Sequence, residues 1–580
     1  MSQTTAKPWP AMSVAEANAR LSAPGQFMEI QEQEIRGIRM KVWKNQPPTL
    51  RSIVEATAAY EDAICLVYED ERITYGAFRR AVSVLAWHMT EMGVRKGDRV
   101  ALIMRNLPEW AVVFYAAASI GAIVTPQNAW WTGPELEYAL RDSGSKMAIV
   151  DAERYRRLSG HFGNCPDLEH VLVARYDGAL DVANSGRLED TIGTPQDWVA
   201  LPDRPLPEVE LHPDDDATIF YTSGTTGSAK GALGTHRGAN SCVMSPVASA
   251  CRNLLRKGEE ISEAALHPRL SVLIGVPFFH VTGCLAILNQ ALAWGGKVTM
   301  MYRWDPVRAF QLIEREKISR TGGVPTIIWQ LADHPERKNY DLSSLTSFVY
   351  GGAPAPAQLI RRIQEVFPNV APTQAWGMTE TSAGVTTNFA NDYVMRPDSC
   401  GPAPANASLQ IRDVNDGKTV LSTGEVGELW SFGPMNCKEY WNKPEATAQT
   451  FVDGWVRTGD LARLDEEGFC YIVDRAKDVV IRGGENIYSP EVEAVLHKHP
   501  AIAEVALVGR PHPTLGEEPV AITTFHPRQT ASEAELRAFV ERELAAFKVP
   551  VNVIIRDEPM PRNENGKILK TKLKEIYFAS

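Results

Sequence analysis

From Thr49 onward, short runs of Val, Ile, Leu and Ala alternate with stretches whose apolar residues recur every three or four positions. That rhythm predicts buried strands alternating with amphipathic helices, the signature of βαβ units and a largely parallel sheet. The segment Val94–Met104 reads as a turn and a buried strand, and Gly121–Trp130 and Lys146–Ala152 read as strands following helices. The longest apolar run, Trp110–Val124, is too short to span a bilayer and predicts a buried helix passing into a strand. A Pro- and acid-rich connector, Leu201–Asp216, leads to a second unit of the same kind. There Ser271–Gly283, Gly295–Met301 and Ser347–Pro356 read as strands ending in turns. Two such units side by side leave a crevice at the carboxyl edges of their sheets. After about Pro397 the pattern changes to short alternating strands with Gly and Asp turns, a small antiparallel unit. From about Ala476 strands and helices mix in a compact α+β lobe, with a capped helix starting near Ser489-Pro490. Residues 1–48 are weakly patterned and carry no assignable chemistry.

Composition narrows the function without naming it. A chain of 580 residues exceeds what one core accommodates. A formal charge of −11 disfavours nucleic acid as partner. Eight cysteines stand singly with no C-x-x-C pair, which fits reduced core thiols in a cytoplasmic protein. The N-terminus lacks a basic-then-apolar signal layout, and no transmembrane segment is expected.

The candidate chemistry begins at YTSGTTGSAKG, Tyr221–Gly231, which follows a strand-like run. Its glycines, hydroxyls and Lys230 suit a polyphosphate, but the spacing Gly224-x-x-Gly227-x-x-Lys230 is not the Walker pattern. A flexible surface loop is the competing reading. TQAWGMTETSAG sets Trp376, Thr379 and Glu380 together on a loop, offering an aromatic face for a base, a hydroxyl and a metal-holding carboxylate. GWVRTGDLA carries Asp460 after a turn, where two carboxylate oxygens suit a ribose diol. DRAKDVVIRGGENIYSPEVE is a charged turn, a strand and a Gly-Gly pair, and PRNENGKILK offers Lys567 on a polar loop. Each segment alone also reads as an ordinary turn or a solvated surface charge.

Taken in order, these segments resemble the adenylate-forming superfamily of acyl- and aryl-CoA synthetases, peptide-synthetase adenylation domains and beetle luciferases. The resemblance implies an α/β fold: a large N-terminal domain of two α/β subdomains plus a small β-barrel-like subdomain, then a mobile α+β C-terminal domain. It divides the chain into an extension (1–48), an AMP-binding domain (49–475) and a C-terminal domain (476–580) with a hinge at Lys477. It also implies ATP, Mg²⁺ and coenzyme A, and formation of an acyl-AMP from a small-molecule carboxylic acid before transfer to the thiol. By the same resemblance, Thr222, Ser223, Gly224, Thr225, Thr226 and Gly227 wrap the β- and γ-phosphates with Lys230 nearby. Gly351, Gly352 and Ala353 lie along the adenine with Gln374, Ala375 and Trp376, whose ring meets its other face. Thr379 contacts the α-phosphate, Glu380 holds the metal, and Asp460 takes the ribose hydroxyls with Arg475 assisting. Lys567 bridges the attacking carboxylate and the α-phosphate. Gly483 and Gly484 line the pantetheine tunnel after rotation about the hinge. His280, Val281, Thr282 and Gly283, in PFFHVTG, shape the acyl pocket, with a satisfied core histidine as the alternative for His280.

Three positions depart from the family pattern: Trp376 where Tyr or Phe is usual, Ala229 for Pro, and Asn563 for Thr. None removes a catalytic group. The expected function is an acyl-CoA synthetase for a fatty or other hydrophobic acid, suggested by Phe278, Phe279 and Trp329. The alternatives are an aryl- or steroid-side-chain-acid ligase and a catalytically silent adenylate- or acyl-binding protein. The assembly stays open, a homodimer included.

Overall fold

The computed structural model describes residues 9–222, 229–352, 355, 357–476, 478–482, 485–562 and 567–578. Two eight-stranded sheets form the larger part. The first runs Glu439–Tyr440, Gly231–Thr235, Asp216–Tyr221, Ile123–Pro126, Arg99–Ile103, Ser145–Asp151, His170–Ala174 and Ser185–Arg187. The second runs Ala383–Phe389, Ala371–Met378, Ser347–Gly351, Arg320–Gly323, Ser271–Ile274, Lys297–Met300, Ile64–Tyr68 and Glu71–Thr74. Both are parallel inside and antiparallel at an edge. The inner strands are buried on both faces, which is why they read as unbroken apolar runs.

The helix Pro108–Ser119 is buried at every residue and runs straight into the strand Ile123–Pro126, as its apolar run predicts. It packs into a core that also draws on the longer helix His236–Arg256. An antiparallel six-stranded sheet follows, its longest members Trp455–Leu464 and Phe469–Arg475. The C-terminal lobe is a five-stranded sheet built on the hairpin Ile502–His512/Gly516–Phe525, with the helices Ser489–Leu496, Glu533–Glu541 and Lys570–Phe578. All eight cysteines are buried free thiols. No helix among the described residues is long and apolar enough to cross a membrane.

The weakly patterned N-terminal segment is more ordered than its sequence suggests. Val14–Leu21 is a helix whose Ser13 and Glu16 form a capping box. Ile30–Ile35 and Ile38–Trp43 form a hairpin, turned through Arg36 (φ 52°) and Gly37 (φ 76°). Two further readings are corrected. Trp376 lies in the strand Ala371–Met378 and not on a loop, because that stretch pairs on both sides. Asp460 lies within the strand Trp455–Leu464, just after Gly459, whose φ of 71° takes up the irregularity read as a tight turn.

Candidate active site

The carboxyl edge of the second sheet, the six-stranded sheet and the C-terminal lobe enclose a cavity of about 2600 Å³. Segments more than 300 residues apart in sequence meet there. Thr222 and Lys230 enter from the ends of the glycine-rich loop, and Gly351, Gly352, Gln374, Ala375 and Trp376 from two adjacent strand ends. Thr379 and Glu380 come from the short 3₁₀ turn Thr379–Thr381, Asp460 and Arg475 from paired strands, and Lys567 from the C-terminal lobe. Ser223, Gly224, Thr225, Thr226, Gly227, Ala353, Lys477, Gly483 and Gly484 lie outside the described residues.

Local sequence explains the close approach of these segments. A Cβ at Gly351 would stand 2.3 Å from the Ala375 carbonyl oxygen, and one at Gly377 would stand 1.7 Å from that of Ala383. Glycine at both positions lets the neighbouring backbones close beside the cavity. Trp376 Nε1 donates to Asp460 Oδ2 at 2.8 Å, and Arg475 Nε lies 2.9 Å from Asp460 Oδ1. The indole thus has a polar anchor that Phe lacks. Each carboxylate oxygen keeps a further lone pair for an incoming hydroxyl.

Glu380 is buried, and burial pushes its carboxyl above the usual range; the Tyr440 hydroxyl, which donates to Glu380 Oε1, pulls the other way. Lys230 Nζ stands 4.6 Å from the centre of the Tyr440 ring. Tyr440 was absent from the sequence reading. It reaches the site because the two-residue strand Glu439–Tyr440 pairs with Gly231–Thr235 next to the glycine-rich loop. Its only signal in the sequence is an aromatic pair, Tyr440-Trp441, among turn residues.

On the acid side, His280, Val281 and Thr282 line the cavity, as does Trp329. Gly283 acts from behind: a Cβ there would meet the Pro277 carbonyl oxygen at 2.1 Å. Burial drops the His280 pKa to about 4, so the ring is neutral near pH 7, and its buried Nε2 has no hydrogen-bond partner among the described residues. Phe278 and Phe279 do not line the cavity, contrary to the sequence reading. They pack against Trp110 and Trp130. The wall is instead made by the π-helix Thr282–Asn289 and its continuation, which turn Thr282, Ala286, Ile287 and Gln290 inward.

The C-terminal lobe is joined to the large part through Asp474. Its Oδ2 accepts from the Ser489 N–H and its Oδ1 from the Arg475 N–H, both at 2.7 Å. Asp474 therefore caps the helix Ser489–Leu496 from a distance, while the residue preceding that helix, Tyr488, supplies no side-chain cap. Burial pushes the Asp474 carboxyl up to about 6, although the Lys570 ammonium opposes this. Lys570 is itself paired with Glu493 at 2.8 Å. The base of the lysine loop is closed by an antiparallel bridge between Arg562 and Ile568.

Comparisons with known proteins identify the family and the fold. The family model described as AMP-binding enzyme matches residues 53–441, and that described as AMP-binding enzyme C-terminal domain matches residues 491–567. The long-chain-fatty-acid–CoA ligase FadD13 of Mycobacterium tuberculosis is 33% identical over 520 residues, covering 88% of this chain and 94% of that protein. The feruloyl-CoA synthase of an Amycolatopsis species is 32% identical over 506 residues, covering 87% and 94%. The crystal structure of the anthranilate CoA ligase AuaEII in complex with anthranoyl-AMP superimposes with a TM-score of 0.81 at 24% identity, covering 91% and 97% of the two chains.

Proposed function

We propose, from the premise that this chain belongs to the AMP-binding enzyme family, a division of labour among its residues for activating a carboxylic acid. The chain is an AMP-forming acyl-CoA ligase using ATP and coenzyme A. A carboxylate oxygen attacks the α-phosphorus, pyrophosphate leaves, and the thiol then displaces AMP from the acyl carbon. The reading rests on one observation: Thr222, Gly351, Trp376, Glu380, Asp460 and Lys567, scattered over most of the chain, face one cavity.

The proposed roles are those that the family resemblance implies, supported by the residues that line the cavity. Trp376 stacks on adenine in an orientation fixed by its bond to Asp460, and Asp460 accepts the ribose hydroxyls while Arg475 holds its other oxygen. Thr222, Lys230 and Thr379 donate to phosphate oxygens. Lys567 neutralises the charge that builds between the incoming carboxylate and the α-phosphate, a fixed electrostatic contribution on the order of 3 kcal/mol.

Glu380 fits Mg²⁺. Among the described residues no group of three or more His, Cys, Asp or Glu forms a metal cage, and Mg²⁺ commonly takes one or two carboxylates with phosphate oxygens and water completing its shell. Bound there, the ion would neutralise phosphate charge. Glu380 holds the site and Tyr440 orients one of its oxygens.

The C-terminal lobe is proposed to turn about Lys477 between the half-reactions, withdrawing Lys567 and bringing Gly483 and Gly484 to the thiol path. The acid is proposed to carry an apolar body, since Val281, Ala286, Ile287 and Trp329 face it. Two assays test the reading: acid-dependent ATP–pyrophosphate exchange and coenzyme-A-dependent AMP release. Lys567→Ala should lower acyl-AMP formation by roughly 100-fold or more while sparing thioester formation from supplied acyl-AMP. Equal loss of both half-reactions would remove Lys567 from its role, and no AMP release from any acid would leave a binding protein.

A further inference from the structure

The acid side of the cavity ends on a charge. Arg320 is the first residue of the strand Arg320–Gly323 and lines the same cavity as Gly322, Gly323 and His280. Parallel pairing with Ser271–Ile274 and Ser347–Gly351 sets it at the amino edge of the second sheet. Three residues at about 3.3 Å each put it about 10 Å below Gly323, at the far end of the acid side from the nucleotide.

Arg320 is half-buried, and its guanidinium lacks the company that the chain gives its fully buried arginines. Arg154 pairs with Asp151 at 2.9 Å, and Arg256 pairs with Asp392 at 3.0 Å. Arg252 donates to the Ala403 and Thr387 carbonyls, both at 3.2 Å. Arg320 pairs with no carboxylate among the described residues. Its buried Nε has no hydrogen-bond partner there, and Nη1 reaches only the Gln290 side-chain oxygen, at 3.3 Å. Burial alone lowers its pKa, to about 10, so it remains a cation near pH 7. A guanidinium with its Nε shut from water and no carboxylate beside it is costly to hold, and a carboxylate on a ligand in the cavity would supply the missing partner.

Arg320 lies in the same cavity as the acid-side residues, and small side chains stand near it: Ala286 of the π-helix, and Ala291 beside Gln290 in the turn that continues it. The helix His236–Arg256 adds Ser245 and Ser249 to the lining. A planar carboxylate accepts two parallel bonds from a guanidinium, whereas a methyl terminus would leave the cation dry and unpaired.

We infer that Arg320, steadied by Gln290, receives a second carboxylate on the acid, so that the substrate is a dicarboxylic acid with an apolar middle. One carboxylate is adenylated at the carboxyl edge of the sheet while the other is held at its amino edge. This deepens the acid–CoA ligase reading and rests on it.

The test uses the full chain with ATP, Mg²⁺ and coenzyme A, and measures AMP release from straight-chain α,ω-dicarboxylic acids and from monocarboxylic acids of equal carbon number. The wild-type protein should favour the diacid in kcat/KM by roughly 10- to 100-fold at its best length. Arg320→Met and Arg320→Gln should reverse that order, lowering kcat/KM for the diacid and raising it for the monoacid. A wild-type protein that uses monoacids as well as diacids at every length would overturn the inference with no variant required, and would leave the ligase reading standing. An equal loss on both acids in a folded Arg320 variant would reduce Arg320 to a structural role and overturn it too. AMP release from neither class would overturn this inference, and the ligase reading would fall with it only if aryl and other acids also gave none.

Discussion

Trp376→Phe separates two things that an aromatic residue does for a nucleotide. The change keeps a π-face for adenine but deletes the indole N–H that meets Asp460 Oδ2 at 2.8 Å. A hydrogen bond to a charged group contributes about 1.5–3 kcal/mol. Arg475 still holds Oδ1, but its side chain is 38% exposed, so solvent screens its pull and it replaces little of what is lost. A loss of about 2 kcal/mol corresponds to roughly 30-fold in affinity. On the proposed roles Asp460 holds the ribose before and during the reaction, so the loss should appear as a higher KM for ATP, with kcat changed by no more than about threefold. Acid-dependent ATP–pyrophosphate exchange, with ATP titrated at saturating acid, reads both. A KM within about twofold of wild type would refute the anchoring role, and so would a fall confined to kcat.

Tyr440→Phe removes the hydroxyl that donates to the buried Glu380 carboxylate and should raise the Mg²⁺ needed for half-maximal AMP release about tenfold; an unchanged Mg²⁺ titration would detach Tyr440 from the metal site. Asp474, at about 6, binds its proton more tightly folded than unfolded, so its contribution to stability is present below the ordinary carboxylate pKa and is lost as pH rises through about 6. Asp474→Asn keeps an oxygen to accept from Ser489 and does not titrate. The stability of wild type relative to this variant should therefore fall between about pH 4 and 6 and level off above, by on the order of 1–3 kcal/mol. Denaturant unfolding across that range checks it, and a pH-independent difference would contradict the assigned cause.

The sheets were legible because strands buried on both faces need continuous apolar runs, and those runs stand out whatever packs on them. The segments that gather at the cavity are legible because each combines particular residue types in one short stretch. Other features carry no local mark. Phe278 and Phe279 look like pocket residues in sequence, but Trp110 and Trp130 draw them into the core. Tyr440 reaches Glu380 only through pairing with a strand some two hundred residues earlier. Arg320 is distinguished by a missing partner, which no sequence displays. The N-terminal hairpin stayed hidden because Ile30–Ile35 interposes Gln and Glu between its two isoleucines and is half-exposed, so its alternation is faint. The capping box at Ser13 and Glu16 does carry a local signal, a Ser followed three residues later by Glu.

That N-terminal segment holds one structural element at both ends. Leu50 N–H donates to His236 Nδ1 at 3.2 Å, Asn240 donates to the Pro47 carbonyl at 2.8 Å, and Arg256 donates to the Met12 carbonyl at 2.9 Å. Midway, Trp43 Nε1 donates to Ser245 Oγ at 3.3 Å. The helix so gripped, His236–Arg256, is the one that brings Ser245 and Ser249 to the cavity, and it holds none of the residues proposed for the nucleotide. Substitutions in the first fifty residues should thus reshape the space proposed for the acid and leave the proposed adenylation residues in place. The segment would act on the acid only at second hand, through the helix it grips.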